Sequence, residues 1–460
     1  MAFFWGAGEY FCAQIHLLMS VKRLLVLLFT VSLLFPVSRS SAQRFLTDMM
    51  DTTTTQGKGL YPIYQQYDRL RFGGYMQPQF QYAQSEGAKQ YEGGDFAPNS
   101  DNRFMLRRGR IRMDYLHFNE KNQPLAFFAF QFDGSERGVN IRDFWGRFYE
   151  NKLEMFSVTA GMFARPMGFE VNLSSSDREA PERGRMSQIL MKTERDIGVM
   201  LTWDPRRKNF PVKWFKFDLG VFNGQGLAGP TDYDSHKDII ARLSLKPLKI
   251  NKAGWKFSAS ISSYQGGVVN PSAQIGTLEG RGSNAQFRVD SGASNIERVM
   301  PRTYYGADAQ LKIPNRHGAT EFRAEYIAGQ QTGSASSSET PGTYPLTAIG
   351  GFQPLYARNF DGAYFYFLQH LGTSDLQLIL KYDWYDPNKK VKGKEISASR
   401  GFSPADIRYD TYGAGLMYYM NAHVKMTFFY SRIINENTDI KGYTSDLKDD
   451  VFTCRLQYRF

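Results

Sequence analysis

Cysteine is almost absent from this sequence, with only Cys12 and Cys454 among 460 residues. Cys12 lies ahead of a leader-type cleavage site described below, so Cys454 is left alone and no disulfide framework or thiolate metal site can form. His117, His236, His317, His370 and His423 are scattered, with no H-E-x-x-H pair, and neither G-x-S-x-G nor a P-loop occurs. The sequence therefore predicts no enzyme activity and no cofactor. Long apolar runs are missing too, and a mean hydropathy of −0.44 excludes a bundle of membrane helices. Acidic residues are outnumbered, 45 against 56 Lys and Arg, for a formal charge of +11.

What is present is an excess of aromatics, 15 % of the chain, and an amphipathic end. In 451–460 the residues Phe452, Cys454, Leu456, Tyr458 and Phe460 fall on one side of an extended strand. Thr453, Arg455, Gln457 and Arg459 fall on the other. A final amphipathic strand stopping on Phe460 looks like the closing strand of an outer-membrane β-barrel, where the terminal aromatic is the signal read by the insertion machinery.

The front of the chain agrees. Residues 24–35 form a short apolar run after Lys22 and Arg23, and Ser40 and Ala42 stand where a signal peptidase reads. Residues 1–42 are thus expected to be a signal-peptide region, with translation beginning at Met19. Residues 43–71 are polar and unpatterned, a flexible lead-in, and 72–460 are expected to form the barrel.

Alternating segments recur at about 72–82, 103–116, 125–133, 140–150, 156–163, 195–203, 214–222, 237–246, 255–263, 303–313, 319–329, 361–371, 375–385, 409–420, 423–434 and 450–460. These predict an all-β fold, a transmembrane antiparallel barrel of about sixteen strands. The connections mostly alternate short and long, as between periplasmic turns and external loops. Such a protein belongs in the outer membrane of a Gram-negative-type envelope. Its basic balance points to small anions or lipopolysaccharide as partners, not to nucleic acid.

The polar faces are basic. Arg108, Arg110 and Arg112 share one face with Asp114, and the phase slips at Arg107–Arg108, where a bulge is expected. Inward phases elsewhere give Arg242, Lys256, Lys312, Arg323, Lys381, Lys425 and Arg455. Cations two residues apart lie about 7 Å apart along a strand, so an anion can pass between neighbours. The competing reading pairs them with Asp114, Asp133, Asp218, Asp308, Glu321, Glu325 and Asp383 and makes them wall stiffeners. The third long loop, 164–194, is expected to fold inward as a constriction carrying Arg165, Arg183, Arg185 and Lys192, alongside Arg178 and several acids. Asp232, Asp234 and Asp238 form only a weak Ca²⁺ candidate, lacking the Gly and terminal Glu of a calcium loop.

Several segments resemble the phosphate-selective porin O and P family in order and spacing. They are Phe104-Met-Leu-Arg-Arg-Gly-Arg-Ile111, Phe128-Ala-Phe-Gln-Phe-Asp133, Ile141-Arg-Asp-Phe144, Gly161-Met-Phe-Ala-Arg-Pro-Met-Gly-Phe-Glu170, Arg195-Asp-Ile-Gly-Val199 and Val221-Phe-Asn-Gly224. The resemblance implies a sixteen-stranded trimeric porin whose lumenal arginine ladder leads anions to a narrow eyelet. Arg108, Arg110 and Arg112 sit where that family's strand-two basic motif lies. The chain departs from the family in a short pre-barrel segment and in a single loop lysine, Lys192. Three alternatives stand beside it: a general porin, an oligosaccharide-type porin with Tyr304, Tyr385 and Tyr419 as a stacking slide, and a surface-binding barrel with a closed lumen.

Overall fold

The computed structural model describes residues 70–460 apart from 208 and 229–230. The signal region, the start at Met19 and nearly all of the lead-in lie outside the described residues.

The first nine strands are β1 (Leu70–Ala83), β2 (Asn102–Phe118), β3 (Pro124–Ser135), β4 (Gly138–Tyr149), β5 (Phe156–Ala164), β6 (Arg195–Trp203), β7 (Phe215–Phe222), β8 (Asp238–Lys249) and β9 (Lys256–Val269). A short hairpin follows, β10 (Gln274–Glu279) and β11 (Gln286–Ser291). The rest are β12 (Val299–Asn315), β13 (Gly318–Gly333), β14 (Leu355–His370), β15 (Leu376–Asp386), β16 (Tyr409–Tyr419), β17 (Val424–Asn435) and β18 (Val451–Arg459). Each wall strand pairs antiparallel with the next, β9 pairs with β12, and β18 pairs with β1. Sixteen strands thus close on themselves and leave no edge, the arrangement that satisfies every backbone group within a membrane.

The two extra strands depart from the expected strand pattern, and β9 and β14 run on past the expected bounds to Val269 and from Leu355. The extra pair sits in the loop between β9 and β12, and β10 adds in parallel to the external end of β14 through Ile275 and Gly276. Six-residue strands flanked by Gly and Ser carry too weak an alternation to separate from loop in the sequence.

Closure is made at the ends of the wall. Tyr75 stands opposite Arg459 and Ala83 opposite Val451, while Gly74 and Phe460 exchange backbone hydrogen bonds of 3.1 and 3.0 Å. The period-two pattern is visible in exposure: Phe452, Leu456 and Tyr458 face outward, whereas Thr453, Arg455 and Gln457 are buried. Outward residues elsewhere are large and apolar, among them Phe104, Ile111, Phe144, Val199, Ile261 and Phe365. Water would not tolerate that exterior over a whole barrel, and lipid requires it. The chain is an outer-membrane barrel.

One end carries long connections, 84–101, 165–194, 223–237, 270–298, 334–354, 387–408 and 436–450; the β3–β4 turn at Glu136–Arg137 is the short exception there. We take that end as external.

Candidate functional site

The site begins with a bulge. Gln77 faces Arg108 but Pro78 faces Leu106, so Arg107 has no partner on β1. Proline cannot donate to the ladder, and the strand accommodates it by an extra residue. The slip turns two consecutive arginines toward the lumen instead of one. Arg107 Nε lies 2.9 Å and Arg108 Nη2 2.7 Å from the carboxylate of Glu182, which comes from the third external loop. Arg455, on β18, places Nη2 2.7 Å from the same carboxylate and donates also to the Pro181 carbonyl at 2.5 Å. Burial favours the neutral form of Glu182, but Arg107, Arg108 and Arg455 around it hold its pKa well below the usual carboxylate range.

That loop runs from 165 to 194 across the inside of the barrel and contains one short helix, α1 (Arg185–Leu190). Its first turn is fixed by Glu325 of β13, which accepts the N–H groups of Phe169 and Glu170 at 3.1 Å each. Gly168 precedes them at φ +66°, and a Cβ there would run into the Glu325 carboxylate, so both the backbone conformation and the close approach call for glycine. Farther on, Glu170 accepts from Ser187 Oγ at 2.7 Å and Tyr366 Oη at 3.0 Å, tying the loop to itself and to β14.

Arg110, Arg112, Arg242, Arg323, Lys381 and Lys425, named from the sequence, are brought to this loop or to a wall acid. Arg110 donates to Ser175 Oγ at 2.8 Å and pairs with Asp133 at 2.7 Å. Arg112 pairs with Asp114 at 2.8 Å. Arg242 reaches the Gly168 carbonyl and lies 3.0 Å from Asp308. Arg323 holds Glu179 at 2.7 Å, and Lys381 holds Asp383 at 3.1 Å. Lys425 donates to the Ser176 and Arg178 carbonyls at 2.7 and 3.1 Å. The pairing reading of these residues is thus the one the contacts match: Arg112 and Lys381 hold wall acids, while Arg110, Arg242, Arg323 and Lys425 also hold the loop across the lumen.

The loop cations separate. Arg165 is buried against the Gly224 carbonyl at 3.2 Å and Asp196 at 3.7 Å, a fixture of the loop's root. Arg183 pairs with Glu194 and donates to the Glu170 carbonyl at 2.9 Å. Arg185 stacks 3.5 Å above the Tyr409 ring and 4.7 Å from Tyr91. Lys192 is exposed and bridges to Glu339 at 2.8 Å.

Arg178 is different. It is 4 % exposed, and its Nε and Nη1 have no hydrogen-bond partner among the described residues. Burial first, then the neighbouring Arg183 and Arg108, pulls its pKa well below the ordinary arginine value. A guanidinium cannot readily shed its proton, so this is a buried cation short of negative charge. Sequence reading placed Arg178 among the loop cations but could not single it out, because which acids reach it depends on how the loop packs. Arg107 was missed for a related reason: only the bulge brings it inward.

Two cavities flank the loop. The external one, about 640 Å³, is lined by Lys89, Arg107, Arg185, Tyr91, Tyr409 and Tyr443 among others. Burial pushes two acids near this mouth up to about 7, Glu92 and Asp449. The opposite cavity, about 320 Å³, is lined by six cations, Arg112, Arg147, Arg195, Lys216, Arg242 and Lys246, against Asp143, Asp204 and Asp218. Trp145 lies between two of them, with the Arg112 and Arg147 guanidiniums 6.0 and 5.4 Å from its ring.

Two expectations are corrected here. Tyr304 and Tyr385 are fully buried and Tyr419 is partly so, bonded to Gln377 at 2.9 Å, so these rings offer no stacking slide. Asp232, Asp234 and Asp238 do not converge: Asp232 binds Lys237, Asp234 accepts from the Val269 N–H, and Asp238 is buried against Tyr264 and Arg302. Among the described residues no cluster of carboxylate, His or Cys side chains has metal-holding geometry.

No family model and no curated protein sequence matches the chain. Among solved structures, it is similar to the outer membrane channel DcaP of Acinetobacter baumannii, at 13 % identity and a TM-score of 0.51, covering 85 % of this chain and 97 % of that one. It is also similar to the anion-selective porin of Comamonas acidovorans, at 10 % identity and a TM-score of 0.50, covering 85 % and 99 %. At such identity the likeness is one of fold: this chain has the barrel fold of outer-membrane porins.

Proposed function

We propose that the chain is a porin for passive diffusion of small anions, with a preference for oxyanions such as phosphate. One observation carries this reading: Arg107, Arg108 and Arg455 share the single carboxylate of Glu182, and Arg178 beside them leaves two guanidinium nitrogens without a partner among the described residues. An excess of guanidinium where the loop crosses the lumen draws anions, and its planar fork meets two oxygens of an oxyanion at once. Arg185 at the external mouth leads to this cluster through Arg107, which faces the same cavity, and Arg112, Arg147 and Arg242 continue the path on the far side of the loop. Charge in a wet pore acts over about 8 Å at physiological salt, so transfer proceeds by succession between near neighbours. The family resemblance to phosphate-selective porins supports this reading, and with it we propose a homotrimeric assembly.

Reversal potential across a salt gradient tests it. Wild-type channels should favour anions, Arg178→Gln should move the potential toward cations, and phosphate should block chloride current less in the variant. An unchanged potential would overturn the anion pathway and leave a general porin.

A second reading rests on the burial of nearly all of 165–191. If the loop closes the lumen, the barrel is a surface-binding protein. Absence of single-channel current from folded protein would decide for it.

A further inference from the structure

We propose that the outer wall of β12, β13 and β14 binds one phosphorylated, acylated glycolipid of the outer leaflet, of the lipid A type. Near the external rim a groove of about 630 Å³ runs between Tyr305 and Tyr326, with Ala307 and Ala328 as its floor. Below it a second groove of about 410 Å³ continues past Ala309 and Ala324, between Phe322 and Phe365. Register makes them one furrow: Ala309 stands opposite Ala324, and Tyr305 opposite Ala328. Most outward positions of a barrel carry bulky apolar side chains, so alanines between aromatic ridges leave a channel along the wall that a linear acyl chain fills.

Charge identifies the head of the occupant. Arg281, Lys389 and Lys390 line the upper groove, contributed by two different external loops. Arg281 is exposed and makes no ion pair among the described residues, and Lys389 lies 3.7 Å from Asp361, while Glu395 comes near Gly282, the residue after Arg281. The two loops are held together by the Gly282 N–H donating to the Lys390 carbonyl at 3.0 Å. Three cations at headgroup height above an acyl furrow match phosphates joined to chains.

The test uses folded protein in detergent, titrated with purified diphosphorylated lipid A and read by native mass spectrometry. Wild-type protein should retain one lipid, and R281Q/K389Q/K390Q should bind at least about tenfold more weakly, since each interfacial cation contributes substantially to anionic-lipid affinity. Dephosphorylated lipid A should bind the wild type as weakly as the intact lipid binds that variant. Ala309→Phe with Ala324→Phe fills the furrow with all charges kept, and should weaken binding too. Heat-modified mobility of each variant establishes that it is folded. Equal binding by wild type and both variants would overturn the site. Equal binding of phosphatidylglycerol would overturn the glycolipid as its ligand. A lipid-independent oligomer lost in the phenylalanine variant would assign the furrow to another copy instead.

Discussion

Arg455 and Glu182 are 273 positions apart in sequence and 2.7 Å apart in space. One belongs to the strand that closes the barrel, the other to a loop that crosses its lumen. The pair gives Glu182 a double role. It latches the loop to β2 and β18, and it subtracts from the positive charge that an anion would meet.

Glu182→Gln should therefore separate latch from charge. Loss of the carboxylate leaves Arg107, Arg108 and Arg455 without their shared partner, which costs about 3–5 kcal/mol for a dry buried pair and less in a lumen that water and ions enter. Heat resistance of the folded barrel should fall while reversal potential moves further toward anions. If both stay at wild-type values, the cluster neither latches nor conducts.

Acid should act on this latch late. The folded pKa of Glu182 is depressed, so its stabilisation is fully present above the unfolded value of 4.5 and is lost only as pH falls through the much lower folded value. The difference in thermal midpoint between wild type and Glu182→Gln should hold from pH 7 down to 4.5 and shrink below it. A difference that disappears already between pH 7 and 5 would contradict the arrangement.

The external mouth should respond at higher pH, and with the opposite sign. Burial raises Glu92 and Asp449 to about 7, so each is favoured in its protonated form below that value. Their contribution to stability is present below the unfolded carboxylate range and is lost as pH rises through about 7. Anion conductance should rise as pH is lowered from 8 to 6, because two negative charges leave the approach. Glu92→Gln with Asp449→Asn should flatten that profile.

Gly168→Ala tests the loop's root. A side chain at φ +66° meets the Glu325 carboxylate that receives the Phe169 and Glu170 N–H groups. The strained conformation alone costs about 1–3 kcal/mol, and loosening of the loop should show as noisier, larger single-channel current. A quiet channel of wild-type size would mean that the loop is held elsewhere.

Leu456→Arg, on the lipid face near the middle of the last strand, should cost about 2–4 kcal/mol in refolding equilibria. Sequence alternation alone would make Gln457→Arg nearly free, since it faces the lumen. The structure changes that expectation. Gln457 is 4 % exposed, accepts from Gln77 Nε2 at 2.7 Å and donates to the Ser176 carbonyl at 3.1 Å beneath the loop. An arginine there must displace the loop, so its effect should appear in the current even where the barrel still folds.

The sixteen wall strands, their inside–outside phase and the loop-bearing end were legible in the chain, because a membrane wall reads one residue in two and repeats that rule in every strand; the short β10–β11 hairpin, outside the wall, was not. Phe452, Leu456 and Tyr458 announce the outside as plainly as Thr453, Arg455 and Gln457 announce the inside. Even the bulge shows, as two arginines where the pattern allows one. The partners of those arginines were not legible. Whether Arg108 meets an ion or Glu182, and whether Arg178 keeps company with an acid, depends on how a thirty-residue loop lies across the lumen. That path is set by contacts such as Glu325 with the Phe169 N–H and Lys425 with the Ser176 carbonyl, which span 156 and 249 positions. Periodicity is local and survives in sequence; charge pairing across a lumen is a property of the closed barrel, and only the tertiary structure decides it.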